Sequence, residues 1–136
     1  MNLPNPNPKL TPQEYLAIER AAAFKSEFHD GEMYAMAGGS EEHSVIANNI
    51  HIDLAIKLNG KPCRPFREVS IKPAAASYYY ADVAVACPPK FATEQGLAHI
   101  TNPVVVVEVL SESTADRDRN EKWDHYRQLD SLQEYL

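Results

Sequence analysis

The sequence predicts an α/β domain, and three observations carry that prediction. A helix start is spelled out at Thr11-Pro12-Gln13-Glu14, a tight hairpin at Asp30-Gly31, and a buried strand in the apolar run from Pro103 to Leu110. The chain has 136 residues, 44% hydrophobic and 24% charged, which suits one globular domain and excludes disordered and collagen-like classes. The first ten residues, MNLPNPNPKL, predict a flexible arm over 1–10, and the single domain is expected over 11–136.

Taken in order, the first helix follows from a capping box. Thr11 supplies an acceptor for orphan N–H groups, Glu14 reaches back, and Pro12 is preset for the first helical position. It is expected from Pro12 to about Phe24, with Tyr15, Ile18 and Ala22 as its apolar stripe. Asp30-Gly31 then joins Glu27-Phe28-His29 to Glu32-Met33-Tyr34, because both turn residues tolerate positive φ. Gly38-Gly39-Ser40 closes that strand and offers an N-cap. A second helix is expected from about Glu41 to Leu58, apolar at Ile46, Ile50, Leu54 and Leu58 and ended by Asn59-Gly60.

Strands are expected next. Phe66 to Lys72 places Val69 and Ile71 on one face, with Pro73 as the stop. Tyr78 to Cys87 alternates Val83 and Val85 against Asp82, Ala84 and Ala86, and Pro88-Pro89 ends it. Tyr78 to Tyr80 alternate faces on such a strand, which favours packing over base stacking. A loop or short helical piece is expected before Pro103. Pro103 to Leu110 then reads as a central strand buried on both faces. Ser111 to Thr114 breaks it, and a third helix is expected from about Ala115 to Leu129, packing through Trp123, Tyr126 and Leu129. Ser131 to Leu136 reads as a turn entering another strand, which points to a fold continuing beyond this chain.

Composition narrows the function. Thirteen basic residues against 19 acidic ones give a net charge of −6, which disfavours a generic electrostatic DNA coat. Lys57, Lys61, Arg64, Arg67 and Lys72 nevertheless form a local basic run opposed only by Glu68, and Arg117, Arg119, Lys122 and Arg127 form another, interleaved with acids. Each is read either as a solvated face or as a phosphate-binding track. Cys63 and Cys87 are too few for a disulfide framework and lack zinc spacing, so reduced thiols are expected. No apolar run reaches the roughly 20 residues of a membrane span, and the N-terminus lacks a signal-peptide pattern. A cytoplasmic protein without a membrane partner follows. His29, His51, His99 and His125 form no zinc-hydrolase motif, and neither a P-loop nor a nucleophile elbow is present.

The informative residues are acids set in strands. Glu108 interrupts the valine run, where a carboxylate is expensive unless it is paired or bound to a cation. An arginine partner or an outward-facing strand end is the plain reading, and a metal site is the functional one. Asp82 poses the same problem between Tyr78-Tyr79-Tyr80-Ala81 and Val83-Ala84-Val85. On neighbouring strands the two carboxylates would converge and could hold Mg²⁺, which shares its site with waters and substrate phosphates. Such an ion activates water and neutralises charge on a phosphodiester. Lys122, sharing a helix face with Arg119 and Tyr126, is the candidate to orient that water or stabilise the pentavalent transition state.

Taken together, these segments resemble a known family. Asp30 to Ser40 followed by His43, then Tyr80-Ala81-Asp82-Val83-Ala84-Val85, then Val107 to Thr114, then Asp118, Lys122 and Tyr126, resemble the Uma2 family of the PD-(D/E)XK, or restriction endonuclease-like, superfamily. The likeness runs from about Leu10 to Leu136. It implies a restriction endonuclease-like core, a mixed β-sheet flanked by helices, with a metal-dependent phosphodiesterase site at the sheet. Asp82 matches the superfamily aspartate and Glu108 the acid of the (D/E)XK pair, and both would bind the metal. Leu110 stands where the motif has lysine, and the family's lysine on the following helix points to Lys122. Ala81 replaces the usual proline. Glu32 and His43 occupy family-like places and join Tyr126 as auxiliary candidates.

Family members continue past the Glu134-Tyr135-Leu136 equivalent, so a domain truncated at its C-terminus, lacking C-terminal strands, is expected. The implied function is a Mg²⁺- or Mn²⁺-dependent endonuclease hydrolysing DNA phosphodiesters. Lys61, Arg64, Arg67 and Arg119 are its candidate nucleic-acid contacts. A homodimer would match a twofold substrate. The alternative is a catalytically inactive nuclease-fold module that binds nucleic acid or a protein partner.

Overall fold

The computed structural model describes residues 9–36, 40–110 and 120–136. In chain order the elements are α1 (Pro12–Ala21), β1 (Ser26–His29), β2 (Glu32–Ala35), α2 (Glu41–Lys57), β3 (Arg64–Ala74), β4 (Ser77–Ala86), β5 (Phe91–Glu94), β6 (Leu97–Ile100), β7 (Pro103–Val107), α3 (Lys122–Tyr126) and β8 (Glu134–Tyr135). The eight strands form one sheet in the order β2-β1-β4-β3-β6-β5, with β7 pairing both β4 and β8. The β3–β6 and β7–β8 pairs are parallel and the rest antiparallel, so the sheet is mixed and the helices flank it. This is the expected fold class.

β4 organises the sheet. β3 lines one of its edges from Ser77 to Ala86. The other edge is shared between two strands: β1 pairs at Ser77 and Tyr78, and β7 pairs from Val83 to Ala86. Both run antiparallel to β4, so they lie in line and leave a fork opposite Tyr79 to Asp82. Burial follows this order. Tyr78, Tyr79, Ala81 and the segment from Val83 to Ala86 are all buried, where an alternating strand had been expected. A strand paired on both edges and covered on both faces has no wet side.

Several expectations are corrected. α1 stops at Ala21 instead of Phe24, because Ala22 turns to extended backbone and Glu19 captures the Ser26 N–H of the next strand. Its buried face is Tyr15, Leu16 and Glu19, while Ile18 and Ala22 are exposed. The capping box itself is present, with Thr11 Oγ1 accepting from Glu14 N and Glu14 Oε1 from Thr11 N. On α2 only Ala47 is fully buried; Ile50 and Leu54 are half-buried and Ile46 is exposed. β3 passes through Pro73, because the register shifts between Ile71 and Ala74 and frees that position from the ladder.

The stretch read as loop or helix is the β5–β6 hairpin, turned at Gln95 (φ 48°) and Gly96 (φ 83°). Gln-Gly is a weaker turn signal than the Asp-Gly of the first hairpin, where Asp30 and Gly31 sit at φ 47° and 90°. Gly31 is required twice there, since a Cβ would also meet Lys9 Cβ at 2.6 Å. β7 ends at Val107 instead of Leu110, and Val104 and Val105 are only half-buried. α3 ends at Tyr126, short of Leu129, and Trp123 is exposed on it, stacking on Tyr135. The expected start of that helix at Ala115, and the Ser111–Thr114 break, lie outside the described residues. Cys63 and Cys87 form a disulfide, which overturns the expectation of reduced thiols. The Arg64–Ala86 pairing places them opposite one another at the end of β3 and β4.

Candidate active site

The fork is where buried charge collects. A gap beside β4 leaves its backbone groups without a strand to bond. Tyr80 N–H therefore donates to Glu27 Oε2 at 2.8 Å, and Asp82 Oδ2 accepts from Val109 N at 2.7 Å. Side chains take over the ladder where the strands part. Glu27 comes from the start of β1, Asp82 from β4, and Glu108 from the residue immediately after β7; exposures are 2%, 8% and 8%.

Lys122 enters from α3. Its Nζ lies 2.9 Å from Glu27 Oε2 and 2.8 Å from Glu108 Oε1, and the residue is 2% exposed. Its ammonium also sits over the Tyr79 ring, 5.3 Å from the centroid. Tyr126, one turn further along α3, donates its hydroxyl to Glu108 Oε1 at 3.3 Å. Burial, then the Glu108 charge, pushes the Tyr126 hydroxyl well above its usual range, so it remains a donor. On the other side, His43 Nε2 stands 3.3 Å from Asp82 Oδ2. His43 is placed there by the α2 N-cap, where its N–H donates to Ser40 Oγ.

The donor set suits a hard divalent cation. Asp82 and Glu108 offer carboxylate oxygens, the ligand type that Mg²⁺ and Mn²⁺ prefer, and no thiol competes at the fork. The β4–β7 register ends at Val83 opposite Val107, and carried one position further it sets Asp82 opposite Glu108.

The model of the Uma2 family, described as "putative restriction endonuclease", matches residues 12–136. The chain belongs to the Uma2 family. Two uncharacterized proteins of Synechocystis sp. are similar to it, each 39% identical. One aligns over 133 residues, covering 96% of this chain and 69% of the relative; the other over 130 residues, covering 93% and 73%. Among solved structures, a putative nuclease belonging to DUF820 from Anabaena variabilis shares the fold. The TM-score is 0.64 at 17% identity, covering 85% of this chain and 69% of that one. No described helix is long and apolar enough to cross a membrane.

Within this Uma2 domain, Asp82, Glu108, Lys122, Tyr126 and His43 come together at the fork. Glu32 does not join them: it is exposed on the edge strand β2, where it accepts from Tyr34. The hairpin acid at the fork is Glu27, which the sequence reading missed. No local signal could have found it, since a carboxylate on β1 becomes costly only once that strand lies between β2 and β4. Among the described basic candidates, Arg67 reaches the site, donating through Nε to the Asp82 carbonyl at 3.2 Å and through Nη1 to Asn48. Lys61 and Arg64 are exposed, with Arg64 folded onto the Lys61 and Cys63 carbonyls. Arg119 lies outside the described residues.

Proposed function

We propose that this Uma2 protein is a metal-dependent endonuclease that hydrolyses DNA phosphodiesters. One observation carries the reading: the buried carboxylates Glu27 and Glu108 share the Lys122 ammonium at the same break in the sheet where Asp82 accepts from Val109 N. Asp82 and Glu108 would hold a divalent ion, Mg²⁺ or Mn²⁺, as restriction endonuclease-like families generally do. Such an ion lowers the pKa of bound water and neutralises phosphate charge.

The chain's own residues supply the rest. Glu27 and Tyr79 fix the Lys122 ammonium, so its N–H donors are preorganised toward a phosphate oxygen or an attacking water. Tyr126 holds Glu108 in place as a donor, and His43 orients Asp82 from the opposite side. Arg67 fixes the β4 backbone at Asp82 and offers positive charge for DNA phosphates beside the fork.

Supercoiled plasmid incubated with purified protein and Mn²⁺ tests the proposal. Nicking is expected from the unaltered chain and a loss of at least about 100-fold from Asp82→Asn, in keeping with removal of a group acting on the transition state. Equal nicking by the two proteins overturns it. No nicking by either, together with DNA binding that survives, favours the inactive binding module instead.

A further inference from the structure

We propose that His29, Asp30 and His125 form a second, distinct site for a borderline transition-metal dication of the Zn²⁺ class. The inference is independent of the nuclease reading. His29 ends β1, Asp30 opens the hairpin turn, and His125 lies on α3, so the sequence separates residues that the fold gathers. One ligand atom from each lies within 4.8 Å of the others. The two imidazole rings stack with centroids 4.4 Å apart, and His29 Nε2 stands 3.3 Å from Asp30 Oδ2.

The hydrogen bonding leaves a ligand atom available. Both Nδ1 atoms point at one hydroxyl, Tyr79 Oη, at 2.5 Å from His29 and 3.3 Å from His125. That hydroxyl has one proton, so at most one ring can accept from it. Its oxygen can instead accept Nδ1–H from both neutral rings, and each Nε2 is then a bare lone pair. An imidazole held through one nitrogen and bare at the other is the form that ligates metals.

Ligand type sets the metal. Two imidazoles and one carboxylate favour Zn²⁺ over Mg²⁺, and three protein ligands leave a fourth position for water. Asp30 is exposed and the histidines are half-buried, so an ion can enter from solvent. Asp30 is aimed by its positive φ, which the two-residue turn enforces. His125 lies three residues after Lys122 on α3, so an ion here would tie the helix that carries the fork's lysine to the β1–β2 turn.

Calorimetric titration of the full chain with Zn²⁺, after dialysis against chelator and with excess Mg²⁺ present, tests the site. The unaltered chain is expected to bind Zn²⁺ and rise in melting temperature. Asp30→Asn and His125→Gln should each weaken Zn²⁺ binding at least about tenfold and abolish that rise. Co²⁺ should give a ligand-field absorption band with the unaltered chain and lose it in both variants. Asn tolerates the turn geometry of Asp30, so Asp30→Asn decides the matter even where His125→Gln does not fold. Zn²⁺ affinity within twofold of the unaltered chain in Asp30→Asn overturns the proposal.

Discussion

Two clusters of buried carboxylate flank β1, and the chain closes them in different ways. On the α1 side, Glu19 accepts from Ser26 N at 2.9 Å and from the Tyr80 hydroxyl at 2.7 Å, with Tyr15 Oη at 3.5 Å, all neutral donors. At the fork, Glu27 and Glu108 instead share the Lys122 ammonium. The first arrangement is complete in itself: a helix end is pinned to a strand start. The second joins acids from β1 and from the end of β7 through a charged amine of α3. Buried charge alone therefore marks no function; what sets the fork apart is that charged side chains from distant segments share one place.

The strongest way to break this contrast is Lys122→Met. It strips the cation from two buried carboxylates and is expected to lower stability by about 3–5 kcal/mol in urea denaturation. Adding Glu27→Gln to it should restore part of that loss, and no restoration would mean that the lysine acts through packing alone. Glu19→Gln sharpens the other half. It keeps one acceptor oxygen, so a smaller loss of about 2 kcal/mol is expected, with plasmid nicking unchanged within twofold.

Alkali tests both clusters together. Burial holds the Tyr15, Tyr80 and Tyr126 hydroxyls above the ordinary tyrosine value of 10.0, helped by Tyr80 and Glu19 at Tyr15, by Glu19 at Tyr80 and by Glu108 at Tyr126. The folded chain therefore retains protons that the unfolded chain releases above about pH 10. Stability should be full below that pH and fall as pH rises through it. Tyr126→Phe removes one such proton, so the fall in denaturation free energy should become shallower by up to about 1.4 kcal/mol per pH unit. An unchanged slope would show Tyr126 ionising normally. The smallest effect is expected from Thr11→Ala, which loosens the α1 cap by about 1 kcal/mol and should leave the proposed Mn²⁺ binding at the fork untouched.

Legibility in the sequence followed the range of the interaction. The capping box at Thr11 and Glu14 and the Asp30-Gly31 turn depend on residues within three positions, and both are present as read. The β5–β6 hairpin was missed because Gln95-Gly96 carries a weak local preference that strand pairing overrides. Asp82 and Glu108 were conspicuous as acids in apolar strands, and the family likeness singled out Lys122. Glu27 escaped notice because its cost arises only once β1 is paired on both edges. Glu32, a better match in pattern, lies on the edge strand β2, exposed and bonded to Tyr34.

By itself the amino-acid order determined the α1 cap and the Asp30-Gly31 turn, marked Asp82 and Glu108 as acids set in apolar strands, and gave membership of a family. Tertiary structure decided which of those acids meet. β1 and β7 share one edge of β4, and the break between them strips the backbone of its ladder partners. Glu27 and Asp82 fill those vacant bonds, and α3 delivers the lysine. Register and strand order are long-range choices, fixed by the packing of the whole sheet, so no window of sequence contains them.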